Sequence, residues 1–130
     1  MNRLFRASLP GSYRFPLRGD GTQSREFTFV EDVVEATIRA GLHLDDSQLE
    51  PLDIGGGVSA SLNEVINMVQ EITGSKTRID NYPLPPGDPK VTTASTASVK
   101  SLLGWEATSS LMDGLKKQHL SLAQELVPTL

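Results

Sequence analysis

The stretch from Ser61 to Gly74 constrains the fold more than any other part of the chain. Ser61 and Glu64 stand at the spacing where a helix N-cap and its third residue exchange hydrogen bonds. Leu62, Val65, Ile66, Val69 and Ile72 then recur at helical spacing, and Gly74 follows where a left-handed residue closes a helix. The pattern predicts an amphipathic helix with one apolar face that other elements must cover. The chain has 130 residues, 38% of them hydrophobic, which is enough for one modest core and a single domain over 1–130.

Further elements follow from similar signals. Leu4, Phe5 and Leu9 against Arg3 and Arg6 predict a short amphipathic helix, followed by a turn at Pro10-Gly11 and an extended run over Phe15-Pro16-Leu17. Gly19-Asp20-Gly21 breaks that run, since Gly tolerates positive φ. Phe27-Thr28-Phe29 alternates like a strand and leads into a helix over Glu31 to Ala40, with Val33, Val34, Thr37 and Ile38 on one face and Gly41 at its end. Thr28 and Glu31 have capping-box spacing. Pro51 to Ile54 reads as a short buried strand, and Lys76 to Tyr82 as extended chain. The prolines at 83, 85, 86 and 89 make that segment a loop. A short helix carrying Val99, Leu102 and Leu103 stops at Gly104. A last helix starts near Ser110, where Asp113 is at capping distance, and runs through Leu111, Leu115, Leu122 and Leu126 to Pro128. Strands and helices alternate, giving an α/β or α+β-like unit with a small mixed or parallel sheet and four to five helices.

Charge and composition exclude several functions. The formal net charge is -4 with no cluster of Lys and Arg, which argues against nucleic acid. No apolar run approaches the roughly 20 residues that span a bilayer, and the amino terminus lacks the apolar core of a signal peptide. The expected setting is cytoplasmic. With no cysteine in the chain, disulfides and thiolate metal sites are excluded. His43 and His119 lack a second ligand at helical spacing, so no metal site is expected. Trp105, just after a helix-ending glycine, is expected to seal a gap between two helices. The Ser- and Thr-rich stretch from Thr92 to Ser98 reads as a polar loop leading to a cap, with hydrogen bonding to a ligand as the alternative.

Residues 55 to 60, Gly-Gly-Gly-Val-Ser-Ala, satisfy the spacing of a dinucleotide-binding glycine motif. In that reading the backbone approaches a pyrophosphate and a helix amino terminus faces it. The other reading is a structural turn. It is favoured because the cap at Ser61 leaves Ala60 outside the helix, and because Asp80, the acidic residue at ribose distance, follows Lys76 and Arg78. Only one strand-helix-strand unit surrounds the motif, and a dinucleotide site needs two mononucleotide halves.

Three segments in order carry a family resemblance. The first runs from Leu17 to Ala36 and contains Gly19-Asp20-Gly21, Arg25-Glu26-Phe27 and Val30-Glu31-Asp32. The second is Leu52-Asp53-Ile54-Gly55-Gly56-Gly57 with Ser61-Leu62-Asn63-Glu64, and the third is Pro86-Gly87-Asp88 with Leu102-Leu103-Gly104-Trp105 and Gly114-Leu115. Together they resemble the carboxy-terminal, substrate-side part of the extended short-chain dehydrogenase/reductase superfamily, in its NAD-dependent nucleotide-sugar epimerases and dehydratases. The resemblance implies a chain standing without the amino-terminal Rossmann domain, which would supply the NAD site, so no cofactor is expected on this chain alone. It also places the glycine triplet after a late strand of the family fold.

The resemblance implies that Arg25 contacts the diphosphate of a nucleotide sugar, a geometry suited to a guanidinium fork. The alternative is a surface arginine paired with Glu26, Glu31 or Asp32. Leu17 falls where the family's strand approaches the nucleotide base, while Gly19 and Gln23 belong to the turn beside it. Relatives place a second arginine in or after the Pro-Gly-Asp loop. Here Val91, Thr92 and Thr93 stand there instead, leaving Lys90 as a point charge. The family's Tyr-x-x-x-Lys pair is missing, because Leu17 follows Tyr13 and Pro86 follows Tyr82 at that spacing. No catalytic residue is expected. The implied partners are a nucleotide-sugar ligand, a second copy or a separate Rossmann-domain protein. The last two would cover the face of the Glu31–Ala40 helix and the edge of the Leu52–Ile54 strand.

Overall fold

A computed structural model describes residues 1–43 and 51–126, the side chain of Leu126 excepted. It is a mixed α/β unit. Among the described residues, helix α1 (Asn2–Ala7) leads to strands β1 (Phe15–Arg18) and β2 (Ser24–Glu26), then helix α2 (Val30–His43). Strand β3 (Ser59–Ser61) runs directly into α3 (Leu62–Thr73), and β4 (Ile79–Tyr82), β5 (Val91–Thr92), α4 (Ala97–Leu103) and α5 (Leu111–Leu126) complete the order.

The strands form two small sheets. β1 pairs in parallel with β4, Leu17 opposite Asn81. β2 is central in the other sheet, antiparallel to β3 and parallel to β5, so Arg25 faces Ala60 on one side and Thr92 on the other. Helix α3 begins and ends as its sequence dictates. Ser61 and Glu64 form the reciprocal capping box, and Gly74 adopts φ 65°. Its apolar face, Val65, Ile66 and Val69, packs with Leu4 and Phe5 of α1, Leu17 of β1, and Leu115 and Leu122 of α5 into the larger core. Ser110 caps α5 and receives the amide of Asp113 at 3.1 Å. The expected helix end at Pro128 lies outside the described residues.

A second, smaller core sits between α2 and α4. It holds Ala36, Val99, Leu103 and the 1%-exposed Trp105, so the indole does fill the space between two helices. Asp32, also buried, fastens this side of the molecule. Its carboxylate accepts the backbone N–H groups of Thr108 and Ser109, at 3.2 and 3.1 Å, and the hydroxyl of Thr108. Burial pushes its pKa up, but those hydrogen bonds outweigh it and hold the group below the ordinary carboxylate value.

Four expectations are corrected. The strand falls at Ser24–Glu26 and not at Phe27–Phe29, because β3 and β5 offer partners only to the former. Pro51–Ile54 belongs to no sheet among the described residues. Leu52 and Ile54 turn inward and Pro51 and Asp53 outward, as in a strand, yet no neighbour pairs with the backbone. Helix α2 runs through Gly41 to His43, since its hydrogen bonding outweighs the modest helix penalty of a glycine. Its start rests on the Val33 amide bonding to the Phe29 carbonyl, with no Thr28–Glu31 capping bond among the described residues. The face with Val33, Val34, Thr37 and Ile38 lies open, as expected of it without a covering partner: Val34 is 50% and Ile38 56% exposed, whereas Asp32 and Ala36 are buried.

Candidate functional site

The site is built on the turn between β1 and β2. Gly19 and Gly21 both take φ near +75 to +79°, a conformation that side chains resist. Asp20 accepts the amide of Thr22 at 3.0 Å and its hydroxyl at 2.6 Å. Those bonds, the hydroxyl's foremost, lower the Asp20 pKa, and the charge of Lys90 assists. Helix α3 holds the turn from the other side. The Asn63 side chain donates to the Asp20 carbonyl at 3.0 Å, and the backbone amides of Leu62 and Asn63 donate to Gln23 and Gly21. A Cβ on Gly21 would stand 2.1 Å from Asn63 Oδ1, so the turn accepts no larger residue without losing that clamp.

Arg25 projects from the central strand. Its side chain is 29% exposed, with one guanidinium nitrogen 3.0 Å from Asp88 Oδ1 and another donating to the Ser24 carbonyl. Asp88 reaches it from the proline loop. The Asp88 amide bonds to the Pro85 carbonyl at 3.2 Å and Gly87 has φ 83°, which is the hydrogen bond and glycine position of a type II turn. The same loop lays Leu84 against the glycine turn, its Cδ1 3.2 Å from where a Gly19 Cβ would stand. The proline loop thus touches both the Arg25 guanidinium, through Asp88, and the glycine turn, through Leu84.

The alternative partners considered for Arg25 are all engaged elsewhere. Glu31 pairs with Lys117, Asp32 with Thr108 and Ser109, and the Glu26 carboxylate accepts the Gly57 and Ala94 amides at 2.7 and 2.8 Å. Among the other candidates, Gln23 lies beside the turn and donates to the Arg18 carbonyl at 2.5 Å. Leu17 points into the larger core and is only 4% exposed, so its side chain is not open to a ligand, and its backbone pairs with β4. The carbonyl of Lys90 accepts the Ser24 amide, which brings the proline loop onto β2. Tyr13 donates its hydroxyl to the Arg3 carbonyl, and the His119 ring stacks on Phe5.

Glu26 was not foreseen, although its place beside Arg25 is a signal: neighbours on a strand point to opposite faces. One therefore faces the loop and the other the glycine triplet. Gly55 and Gly56 are explained by this contact, since a Cβ on either would lie 2.2 Å from the Glu26 carboxylate or 2.1 Å from the Phe27 carbonyl. The first amides of α3 are also spent, on Gln23, Gly21 and Ser61. With the Gly57 amide held by Glu26 as well, the contacts of the triplet are those of a structural turn.

A short mixed sheet with a glycine turn, a strand arginine and a proline-loop acid defines the class, an α/β unit built to present a guanidinium beside a tight turn. A sequence model of the NAD dependent epimerase/dehydratase family matches residues 2–55. The chain is 35% identical over 100 residues to a UDP-glucuronate 4-epimerase of Thermodesulfobacterium geofontis, covering 76% of this chain and 30% of that protein. It is 32% identical over 113 residues to GDP-mannose 3,5-epimerase of Arabidopsis thaliana, covering 87% of this chain and 29% of that one. The solved UDP-glucuronic acid 4-epimerase of Bacillus cereus, in complex with UDP-glucuronic acid and NAD, superposes with a TM-score of 0.86 at 32% identity. That match covers 95% of this chain and 39% of the solved one. The chain thus matches the NAD-dependent epimerase/dehydratase family over residues 2–55 and is similar to proteins of that kind over most of its length. It spans about three tenths of the length of these curated relatives.

Proposed function

We propose that this chain is the carboxy-terminal, substrate-side portion of a nucleotide-sugar epimerase or dehydratase and binds the diphosphate of the nucleotide sugar weakly through Arg25. The observation that carries the reading is the part-buried Arg25 guanidinium on the central strand, met by Asp88 from a loop that also packs Leu84 on the Gly19 turn. Several solved relatives of the same fold hold UDP-sugars and NAD, which supports the ligand class. The hydride and proton chemistry, with its NAD and its Tyr-x-x-x-Lys pair, is assigned to the remainder of the family fold, so the chain alone turns over no sugar. Ligand-observed NMR tests the binding. UDP and UDP-glucuronate are expected to respond at millimolar concentration, and Arg25→Met to weaken them by one to two decades, as loss of a charge-assisted hydrogen bond of about 1.5–3 kcal/mol requires. No response from any nucleotide, or one unchanged in the variant, overturns the reading.

A second reading concerns protein partners and rests on helix α2. Val30, Val34, Ile38 and Leu42 are 63, 50, 56 and 75% exposed on a helix whose opposite side is packed. Pro51–Ile54 beside it has strand-like alternation without a sheet neighbour. Both are surfaces that soluble proteins usually cover. The chain therefore self-associates through α2 or docks there onto a Rossmann half. Light scattering over a concentration series is expected to show mass above 14.1 kDa. The double variant Val34→Glu, Ile38→Lys should return it to monomer, and a clean monomer in the unaltered chain, with no uptake of an added Rossmann half, counts against the reading.

A further inference from the structure

We propose that Asp88 is a specificity-determining residue of this site, an internal carboxylate that occupies the phosphate position on Arg25 and that a ligand must displace. The inference rests on the reading of Arg25 as the diphosphate contact. Three observations point to it. Asp88 Oδ1 lies 3.0 Å from the guanidinium, the distance and charge with which a phosphate oxygen would approach. The acid is delivered by a turn whose conformation is fixed by Pro86 and by Gly87 at φ 83°, closed by the Asp88 amide on the Pro85 carbonyl, so its placement is built into the backbone. The loop is also fixed at a second point, Leu84 packing against Gly19.

The consequence is a charge requirement. A guanidinium already paired with a carboxylate offers little net attraction to a monoanion. A diphosphate carries enough charge and enough acceptor oxygens to compete for the fork, and winning it releases Asp88 and lifts the loop. The nucleoside part alone has no claim on Arg25. Asp88 thus acts as a latch that opens to multiply charged ligands.

The test is titration of the whole chain with UDP, inorganic diphosphate and uridine, read by amide NMR, for the unaltered chain and for Asp88→Asn and Arg25→Met. Asp88→Asn is expected to bind UDP and diphosphate about fivefold more tightly, the scale of a part-exposed ion pair, and uridine unchanged. Diphosphate added to the unaltered chain should also move the Gly87 and Asp88 amides toward their positions in Asp88→Asn. Weaker UDP binding by Asp88→Asn would make Asp88 a direct ligand contact and overturn the latch, as would equal binding. If UDP binds, Arg25→Met loses it and Asp88→Asn gains nothing, the latch fails while the Arg25 reading stands. If neither the unaltered chain nor Asp88→Asn responds to any phosphate, both fail.

Discussion

Replacing Asp32 with alanine is expected to destabilise the chain by about 2–5 kcal/mol, since it strands two backbone N–H groups at about 1–3 kcal/mol each. Against a typical total of about 5–15 kcal/mol, that is a large share. The residue lies in the first turn of α2, 3% exposed, and holds Thr108 and Ser109 just ahead of α5. It thereby joins the small core to the helix that also closes the large one. Asp32→Asn keeps the shape and one acceptor oxygen, so its cost should be smaller. The sign of the pH dependence separates the two roles. Because hydrogen bonding sets the folded pKa below the unfolded one, the unfolded chain binds more protons in that window. The charge therefore contributes stability above the unfolded value of about 3.9, and this is lost as pH falls through the folded pKa. Urea titrations at neutral and acidic pH should show the gap between the unaltered chain and Asp32→Asn narrowing on acidification. A gap that does not change with pH would remove the carboxylate's charge from the account.

Trp105→Ala should cost about 3–5 kcal/mol, the usual range for emptying a fully buried aromatic site. The indole fills a core of only a few residues, so no larger neighbour stands ready to collapse into the space. Its Nε1–H has no hydrogen-bond partner among the described residues. Trp105→Phe therefore sacrifices volume but no hydrogen bond and should be the milder change, at about 1–2 kcal/mol on the scale of partial large-to-small substitutions. As the single tryptophan in the chain, Trp105 reports its own environment. Its emission should be blue-shifted in the native state and move red on unfolding. Thermal denaturation of both variants checks the order, and a Trp105→Ala protein as stable as the parent would mean the small core contributes little.

The helices were legible because their signals are local. Ser61 with Glu64, and Ser110 with Asp113, sit within one turn, and the glycines at 74 and 104 close their helices at φ 65 and 58°. The strands were not. Whether Ser24–Glu26 or Phe27–Phe29 becomes the strand depends on where residues 59–61 and 91–92 lie, which no local pattern states. Pro51–Ile54 has the right alternation and lacks only a partner. At the site, the turn chemistry of Gly19, Gly21 and Pro86-Gly87 was readable from residue type, whereas Arg25 was singled out by the family resemblance. That Arg25 meets Asp88, that Glu26 holds the glycine triplet, and that Asp32 anchors α5 were not, because each joins residues more than 30 positions apart.

The register of the two sheets also sets an order of assembly. β1 meets β4 with Phe15 opposite Ile79, and β2 meets β5 with Ser24 opposite Val91, so both parallel pairings close long stretches of chain. Closing such loops costs entropy before any contact repays it, which makes these steps slow compared with forming a helix. The capped α3 helix is available early. It then supplies both the Ser59–Ser61 strand, continuous with its start, and the Asn63 contacts to the Asp20–Gly21 turn. The meeting of Arg25 with its loop acid depends on the second of these closures, because Asp88 lies just ahead of β5.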